Sequence, residues 1–289
     1  MIKKSIVIIG AGKEQESAYL VAKKLNLITI GVDKNKNAPA LKYADYKINV
    51  SVRNISIIEK TLKSLLKENK IKKINGIFTL ANDVPFTVAS LSKTFKTKSI
   101  SVQSSLQASN KILMKKRFND SKVSTPVHKV VSSLSNFYKV LNNFKNDFII
   151  KPSDGRGSRG VYLLTNKMKK GYLKKFFLKS YYESTERKVI IEEFLDGPQI
   201  STEGFFYKKK YRTIAYADRN YSNLSKTKPY ILENGGSMPS KIDNKIKKKI
   251  DELIKKACDS VNINWGTIKS DIVIHKNQPC IIELAARIS

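Results

Sequence analysis

Short apolar runs alternate with stretches of helical spacing over the first hundred residues of this chain. Residues 6–9, 28–32 and 76–80 read as strands, and 15–25 and 55–67, with apolar positions three and four apart, read as helices. Strands separated by helices predict a parallel sheet of Rossmann type. A further helix is expected over 104–118, ending near Asn119-Asp120, with Pro126 opening the next strand. Beyond it the pattern turns β-rich. Strands are predicted at 127–131, 148–152, 160–164, 189–193, 200–207, 211–217, 268–274 and 280–284, with a helix at 172–179. Ile242, Ile246, Ile250, Leu253, Ile254, Ala257 and Val261 recur at helical spacing with lysines mostly on the opposite side, which predicts an amphipathic helix packed on a core. Residues 221–239, carrying Pro229, Gly235, Gly236 and Pro239, are the best candidate for a mobile loop.

Charge changes this picture less than its size suggests. Lys+Arg 55 against Asp+Glu 24 gives a formal net charge of +31, which raises a nucleic-acid or anionic-membrane partner. Only eight of the 55 cations are arginine, the residue that reads phosphates and bases bidentately. The lysines are spread along the whole chain beside abundant Asn and Ile, and do not cluster with aromatics on one element. That distribution reads as compositional drift on solvated faces, so neither nucleic acid nor membrane is the expected partner. No stretch approaches the roughly 18 apolar residues of a membrane span. Cys258 and Cys280 have no metal spacing and read as reduced thiols, and the apolar start is broken at Gly10-Ala-Gly-Lys-Glu14, too soon for a secretory signal. A cytoplasmic protein is expected.

The densest chemistry follows the apolar run Phe148-Ile149-Ile150. Lys151-Pro-Ser-Asp-Gly-Arg-Gly-Ser-Arg-Gly-Val161 delivers a lysine into a glycine-rich loop. Gly155, Gly157 and Gly160, with Ser158 between them, allow backbone N–H groups to turn toward an anion beside the Lys151 charge. The order differs from a P-loop, whose lysine comes last. Downstream, Val189-Ile-Ile-Glu-Glu-Phe-Leu195 suits an adenine slot, with Glu192 and Glu193 near the base edge and Leu195 against its face. Glu203 lies where strand alternation points an acid toward a cleft. Asp271 and Glu283 occupy corresponding places on two adjacent strands, so an antiparallel pair puts both carboxylates on one face, within reach of a shared Mg²⁺. Arg287 follows at the same cleft, where a cation stabilises charge developing on a transferring group.

Taken in order, these residues resemble the ATP-grasp superfamily, closest to its carbamoyl-phosphate-synthase-like and biotin-carboxylase-like carboxylate ligases. The resemblance spans essentially the whole chain. It implies an α/β and α+β fold: a Rossmann-like pre-ATP-grasp domain over 1–105, then a two-lobed ATP-grasp domain over 106–289. The latter divides into a small ATP-binding lobe at 106–195 and a metal-binding, catalytic lobe at 196–289. It also implies roles. Lys111, in Asn110-Lys111…Met114-Lys115, and Lys151 would contact ATP phosphates, and the loop 154–160 would close over them. Glu192, Glu193 and Leu195 would line the adenine pocket, with Glu203 on the ribose hydroxyls. Asp271 and Glu283 would bind Mg²⁺ or Mn²⁺, and Arg287 would steady an acyl-phosphate or tetrahedral intermediate. An ATP-dependent ligase follows, activating a small-molecule carboxylate or bicarbonate as an acyl-phosphate for attack by an amine or similar nucleophile, and a homodimer is a frequent assembly in such a family.

Two positions depart from the family pattern: Ala285 stands where many members carry a metal-ligating Asn, and Asp271 is shorter than the usual Glu. The chain also stops at Arg287-Ile-Ser289, where the family usually continues into a glycine pair, so an incomplete chain is expected. The rival readings are a NAD(P)-dependent oxidoreductase using Gly10, Gly12 and Asp33, and a Lys-rich nucleic-acid-binding protein. In the first, Gln15 occupies the third glycine position of the dinucleotide fingerprint.

Overall fold

A computed structural model describes residues 3–155, 157–207 and 210–289; Arg156 of the glycine-rich loop lies outside the described residues. The chain lays down β1 (Ser5–Ile9), α1 (Glu16–Lys24), β2 (Ile28–Val32), β3 (Tyr46–Ile48), α2 (Ile55–Lys67) and β4 (Ile74–Phe78) as a parallel sheet ordered β3-β2-β1-β4. Central β1 is covered on both faces. Val7 and Ile9 pack with Ile58 and Leu62 of α2, while Ile8 packs with Tyr19 and Leu41 on the other side. Both-sided burial is why this strand reads as a continuous apolar run. Helix α3 (Pro85–Thr94) follows, opened by Pro85 at a position where a missing N–H costs nothing.

The single helix expected over 104–118 is two helices, α4 (Val102–Ser109) and α5 (Lys111–Asp120). Asn110 stands between them in extended conformation, and its Oδ1 accepts the N–H groups of Ile112 and Leu113 at 2.9 and 3.1 Å. An N-cap of this kind starts a new helix and redirects the chain. As a result α5 turns Met114 and Phe118 into the core of the last sheet.

The second sheet is antiparallel. It is built from β5 (His128–Val131), β6 (Phe148–Pro152), β7 (Tyr162–Leu164) and β8 (Val189–Glu193) in the order β5-β8-β6-β7. Helices α6 (Leu134–Leu141) and α7 (Lys170–Glu183) share its core, with Phe137 stacked on Phe177 at 4.8 Å.

The third sheet holds β9 (Gln199–Tyr207), β10 (Lys210–Arg219), β11 (Gly236–Ser237), β12 (Gly266–His275) and β13 (Gln278–Ala285), ordered β11-β10-β9-β12-β13 and antiparallel throughout. The segment expected to be a loop at 221–239 carries α8 (Leu224–Thr227) and the short β11. The lysine-rich helix α9 (Asn244–Ser260) buries Ile250, Leu253, Ile254 and Ala257 against this sheet, as its spacing predicts. Among the described residues no helix is long and apolar enough to cross a membrane. The architecture is therefore α/β over the first hundred residues and α+β thereafter.

Candidate active site

A cavity of about 340 Å³ is lined by β6, β8 and the glycine-rich loop on one side and by β12 and β13 on the other. Strand β6 runs Lys151 to its end, 5% exposed, where Nζ meets Glu192 Oε2 at 2.7 Å. Lys115, wholly buried one helical turn after Lys111, reaches the other oxygen of Glu192 at 3.1 Å. Its Nζ also donates to Thr125 Oγ1 at 2.5 Å, and Thr125 donates to the Ile281 carbonyl of β13 at 2.8 Å. Burial alone would raise the Glu192 carboxyl, but Lys115 and Lys151 more than offset it and hold the group at about 2. Burial also pushes the Lys115 ammonium down to about 8, against the attraction of Glu192.

The glycine-rich loop leaves β6 and is anchored by Asp154. The Asp154 carboxylate accepts the Thr185 N–H at 3.1 Å, the Thr185 hydroxyl, and the Ser184 hydroxyl at 2.8 Å. Two glycines have specific reasons to be there. At Gly155 a Cβ would lie 2.2 Å from the Pro152 ring, and Gly160 takes φ +70° while packed on Pro152 and Glu183. Lys111 ties the loop to the far wall. Its Nζ donates to the Gly155 carbonyl at 3.0 Å and pairs with Glu283 Oε1 at 3.1 Å. Burial pushes this ammonium down, but Glu283, with Asp83 and Glu192, outweighs it and holds the group above its ordinary value.

At the hinge after β8, the Glu193 N–H donates to the Val127 carbonyl and the Phe194 N–H to that of Asp147. Phe194 and Leu195 line the cavity with Ile149. Both oxygens of Glu192 face lysines, so this acid is not offered to a base edge as expected; Glu193, half-buried, has no side-chain partner among the described residues.

Asp271 and Glu283 are direct partners across the β12–β13 ladder, as the antiparallel reading expected. Their surroundings differ. Asp271 Oδ1 lies 2.6 Å from Lys269 Nζ, and Oδ2 lies 2.9 Å from Arg219. Burial would raise its carboxyl, but Lys269 and then Arg219 hold it below its ordinary value. Arg287 lines the cavity and donates through Nε to Asp83, at the start of the segment leading into α3.

The structure brings Lys111, Lys151, Gly155, Gly157 and Ser158 together with Glu192, Glu193 and Leu195, and with Asp271, Glu283 and Arg287, around one cavity. Gly160 lies just behind, closing the loop. Glu203 is not among the lining residues, contrary to expectation. It sits opposite Lys269 in the sheet, on the cavity-facing side, but further along β9. There its Oε1 accepts the Ser289 N–H at 3.1 Å and its Oε2 is buried without a hydrogen-bond partner among the described residues. Alternation fixes a face, not a distance along the strand. Gln199, at the near end of β9, lines the cavity instead. Lys115, Lys269, Arg219 and Asp83 are further residues the sequence reading left without a role. Two carried a readable signal: Lys115 is four residues after Lys111 on a helix, and Lys269 is two before Asp271 on a strand.

The rival dinucleotide loop is filled from within. The Ala11 N–H donates to Asp33 Oδ2 at 3.0 Å, the Gly12 N–H donates to Gln15 Oε1 at 2.7 Å, and the Gly10 N–H donates to the Val32 carbonyl at 2.8 Å. The donors a pyrophosphate would need are already taken by the chain itself.

The sequence and the fold are also similar to those of known proteins. The family model described as ATP-grasp domain matches residues 108–289, and the one described as PylC-like, N-terminal domain matches residues 6–103. The alanine–anticapsin ligase of Bacillus subtilis (strain 168) is 30% identical over 209 residues, which is 64% of this chain and 42% of that protein. The chain thus spans less than half the length of this relative. A phosphoribosylglycinamide synthetase from Anaerococcus prevotii superposes with TM-score 0.75 at 23% identity, over 99% of this chain and 69% of the other. An L-amino acid ligase from Bacillus licheniformis superposes with TM-score 0.79 at 16% identity, over 99% of this chain and 68% of the other.

Proposed function

The chain belongs to the ATP-grasp family, and from that premise we propose that it is, or is part of, an ATP-dependent carboxylate ligase that holds ATP in the cavity between its second and third sheets. The observation that carries this reading is the convergence of Lys111, Lys151, the anchored loop, the β8 hinge and the Asp271–Glu283–Arg287 group on one cavity. Lys111 and Lys151 take the phosphates, with N–H groups of the loop closing over them. Phe194, Leu195 and Ile149 pack against the adenine, and Glu193 and backbone groups of the hinge meet its edge. Glu192 acts behind them, holding Lys151 in place. Gln199 takes the ribose hydroxyls in place of Glu203.

In the reaction, an oxygen of the substrate carboxylate attacks the γ-phosphorus, the bond from that phosphorus to the β,γ-bridging oxygen breaks, and ADP leaves. An amine then attacks the carbonyl carbon of the acyl-phosphate, releasing inorganic phosphate and a proton and leaving an amide. The lysines and Arg287 contribute by positioning and by compensating charge on the transferring group. Of the two acids expected to hold a metal, Glu283 fits: only its Oε1 is engaged among the described residues, and its side chain is 38% exposed. A divalent cation held there would neutralise charge on the phosphates.

Thermal unfolding with a non-hydrolysable Mg·ATP analogue tests the reading. The midpoint should rise for wild type, by the equivalent of about 2.7 kcal/mol at a hundredfold excess over Kd, and Lys151→Ala should abolish the rise. A shift with NAD(H) and none with the ATP analogue would sink it.

A further inference from the structure

Asp271 looks like a metal ligand in sequence but is surrounded like an anchor for cations. Each of its oxygens already faces a positive group, Lys269 at 2.6 Å and Arg219 at 2.9 Å. Neither group is loosely held. Arg219 is fixed from behind by Glu233, whose Oε2 accepts its Nε at 3.1 Å and NH2 at 2.5 Å, and its guanidinium lies 5.4 Å from the Tyr221 ring. Lys269 shares a strand face with Asp271, so its ammonium needs no rearrangement to stay there. Both cations line the cavity. Two residues beyond Glu283, on the same face of β13, Ala285 presents no donor atom.

Mg²⁺ demands near-octahedral oxygen ligands at about 2.0–2.1 Å. At positions 271, 283 and 285 a metal would therefore find one carboxylate with a single oxygen taken, by Lys111, one carboxylate with both oxygens occupied by cations, and one methyl group. Arg219 and Lys269 also balance Asp271 and Glu233 charge for charge, leaving no surplus negative charge to draw in a second divalent ion. We propose that this cavity takes a single divalent cation, on Glu283, and that the Lys269 ammonium, held with Arg219 by Asp271, supplies the positive charge toward nucleotide oxygens where a second metal would otherwise lie. On this view Asp271 is a positioning residue for Lys269 and not a metal ligand. The inference rests on the reading of the cavity as an ATP site.

Counting Mn²⁺ by electron paramagnetic resonance, with the protein saturated by a non-hydrolysable ATP analogue, tests it without any turnover. One bound Mn²⁺ per bound nucleotide beyond the free Mn²⁺–analogue complex is expected, and it should be lost in Glu283→Gln but kept in Asp271→Asn. Lys269→Ala, which leaves both acids intact, should weaken the analogue about tenfold at saturating Mn²⁺, the loss of one charge-assisted contact. Two Mn²⁺ per nucleotide in wild type overturn the proposal, as does unchanged analogue affinity in Lys269→Ala. Should the analogue not bind wild type at all, the ATP reading itself fails, which the nucleotide titration reports separately from the metal count.

Discussion

Glu192 has two buried lysines and almost no water, so its charge governs more than its own stability. Replacing it by glutamine leaves Lys115 and Lys151 close together in the interior with nothing between them to compensate. Breaking a buried ion cluster in this way typically costs about 3–5 kcal/mol, and urea unfolding of Glu192→Gln at neutral pH should show a loss of that order. The pH dependence has a definite sign. The folded-state value of about 2 lies below the ordinary 4.5, so the unfolded chain binds the proton first as pH falls. The stabilisation is complete above 4.5 and fades toward 2. The stability gap between wild type and Glu192→Gln should therefore narrow on acidification through that window, and a gap constant with pH would contradict the ion-pair account. Residues of this kind were only partly legible. Lys151, Asp271 and Glu283 stand out because their neighbours are glycines or apolar strand residues. Lys115 and Lys269 carry only their spacing from Lys111 and Asp271 as a signal, a weak one in a chain with 55 cations. Glu192 was legible as an acid at a strand end, but its partners lie on other elements, which no local pattern encodes.

Elements were read well where burial imposes a period and poorly where something else shapes the chain. Strands β1, β2, β6, β8 and β13 lie within two residues of their expected bounds because their apolar runs are buried in a sheet. The three-residue β3 is too short to establish an alternation, and α3 and α6 were not anticipated. The break at Asn110 depends on side-chain capping, which hydrophobic spacing cannot register. The glycine-rich loop shows the same limit. Its glycines announced it, yet what holds it is Asp154 bonding to Ser184 and Thr185, about thirty residues away. Burial would raise the Asp154 carboxyl, but the Thr185 and Ser184 hydrogen bonds hold it below its ordinary value. Asp154→Ala should therefore release the loop while leaving the sheets intact. The expected result is faster amide exchange across 155–161 and analogue affinity reduced about tenfold, the size of one hydrogen bond to a charged group. Unchanged exchange in the loop would show that the glycines alone order it.

At the scale of the whole molecule, the cavity depends on how the first sheet meets the third. The Ala81 N–H donates to the Ile288 carbonyl at 3.0 Å, Arg287 donates to Asp83, and the Ser104 hydroxyl donates to the Asn262 carbonyl at 2.8 Å. The first two contacts bring the loop after β4 against the chain at the end of β13, so Asp83 and Pro85 become part of the cavity wall, and the third ties α4 to the turn after α9. They hold together a chain with formal net charge +31, and the two facts act in opposite directions. Exposed ion pairs contribute about 0–1 kcal/mol each and weaken in salt. The unbalanced lysines repel one another over distances comparable with the molecule, and salt weakens that repulsion as well. With more than twice as many cations as acids, the repulsion is the larger sum. Raising salt from about 0.01 to 0.1 M shortens the screening length from about 30 to 10 Å. The thermal midpoint of the nucleotide-free protein should therefore rise with sodium chloride, and sucrose at matched osmolality serves as the control for general exclusion effects. The buried Lys115–Glu192–Lys151 cluster is shielded from ions and should not respond, so Glu192→Gln should show the same salt slope as wild type. A midpoint that falls with salt would mean that specific surface pairs, and not the excess of lysine, set the electrostatics of the fold.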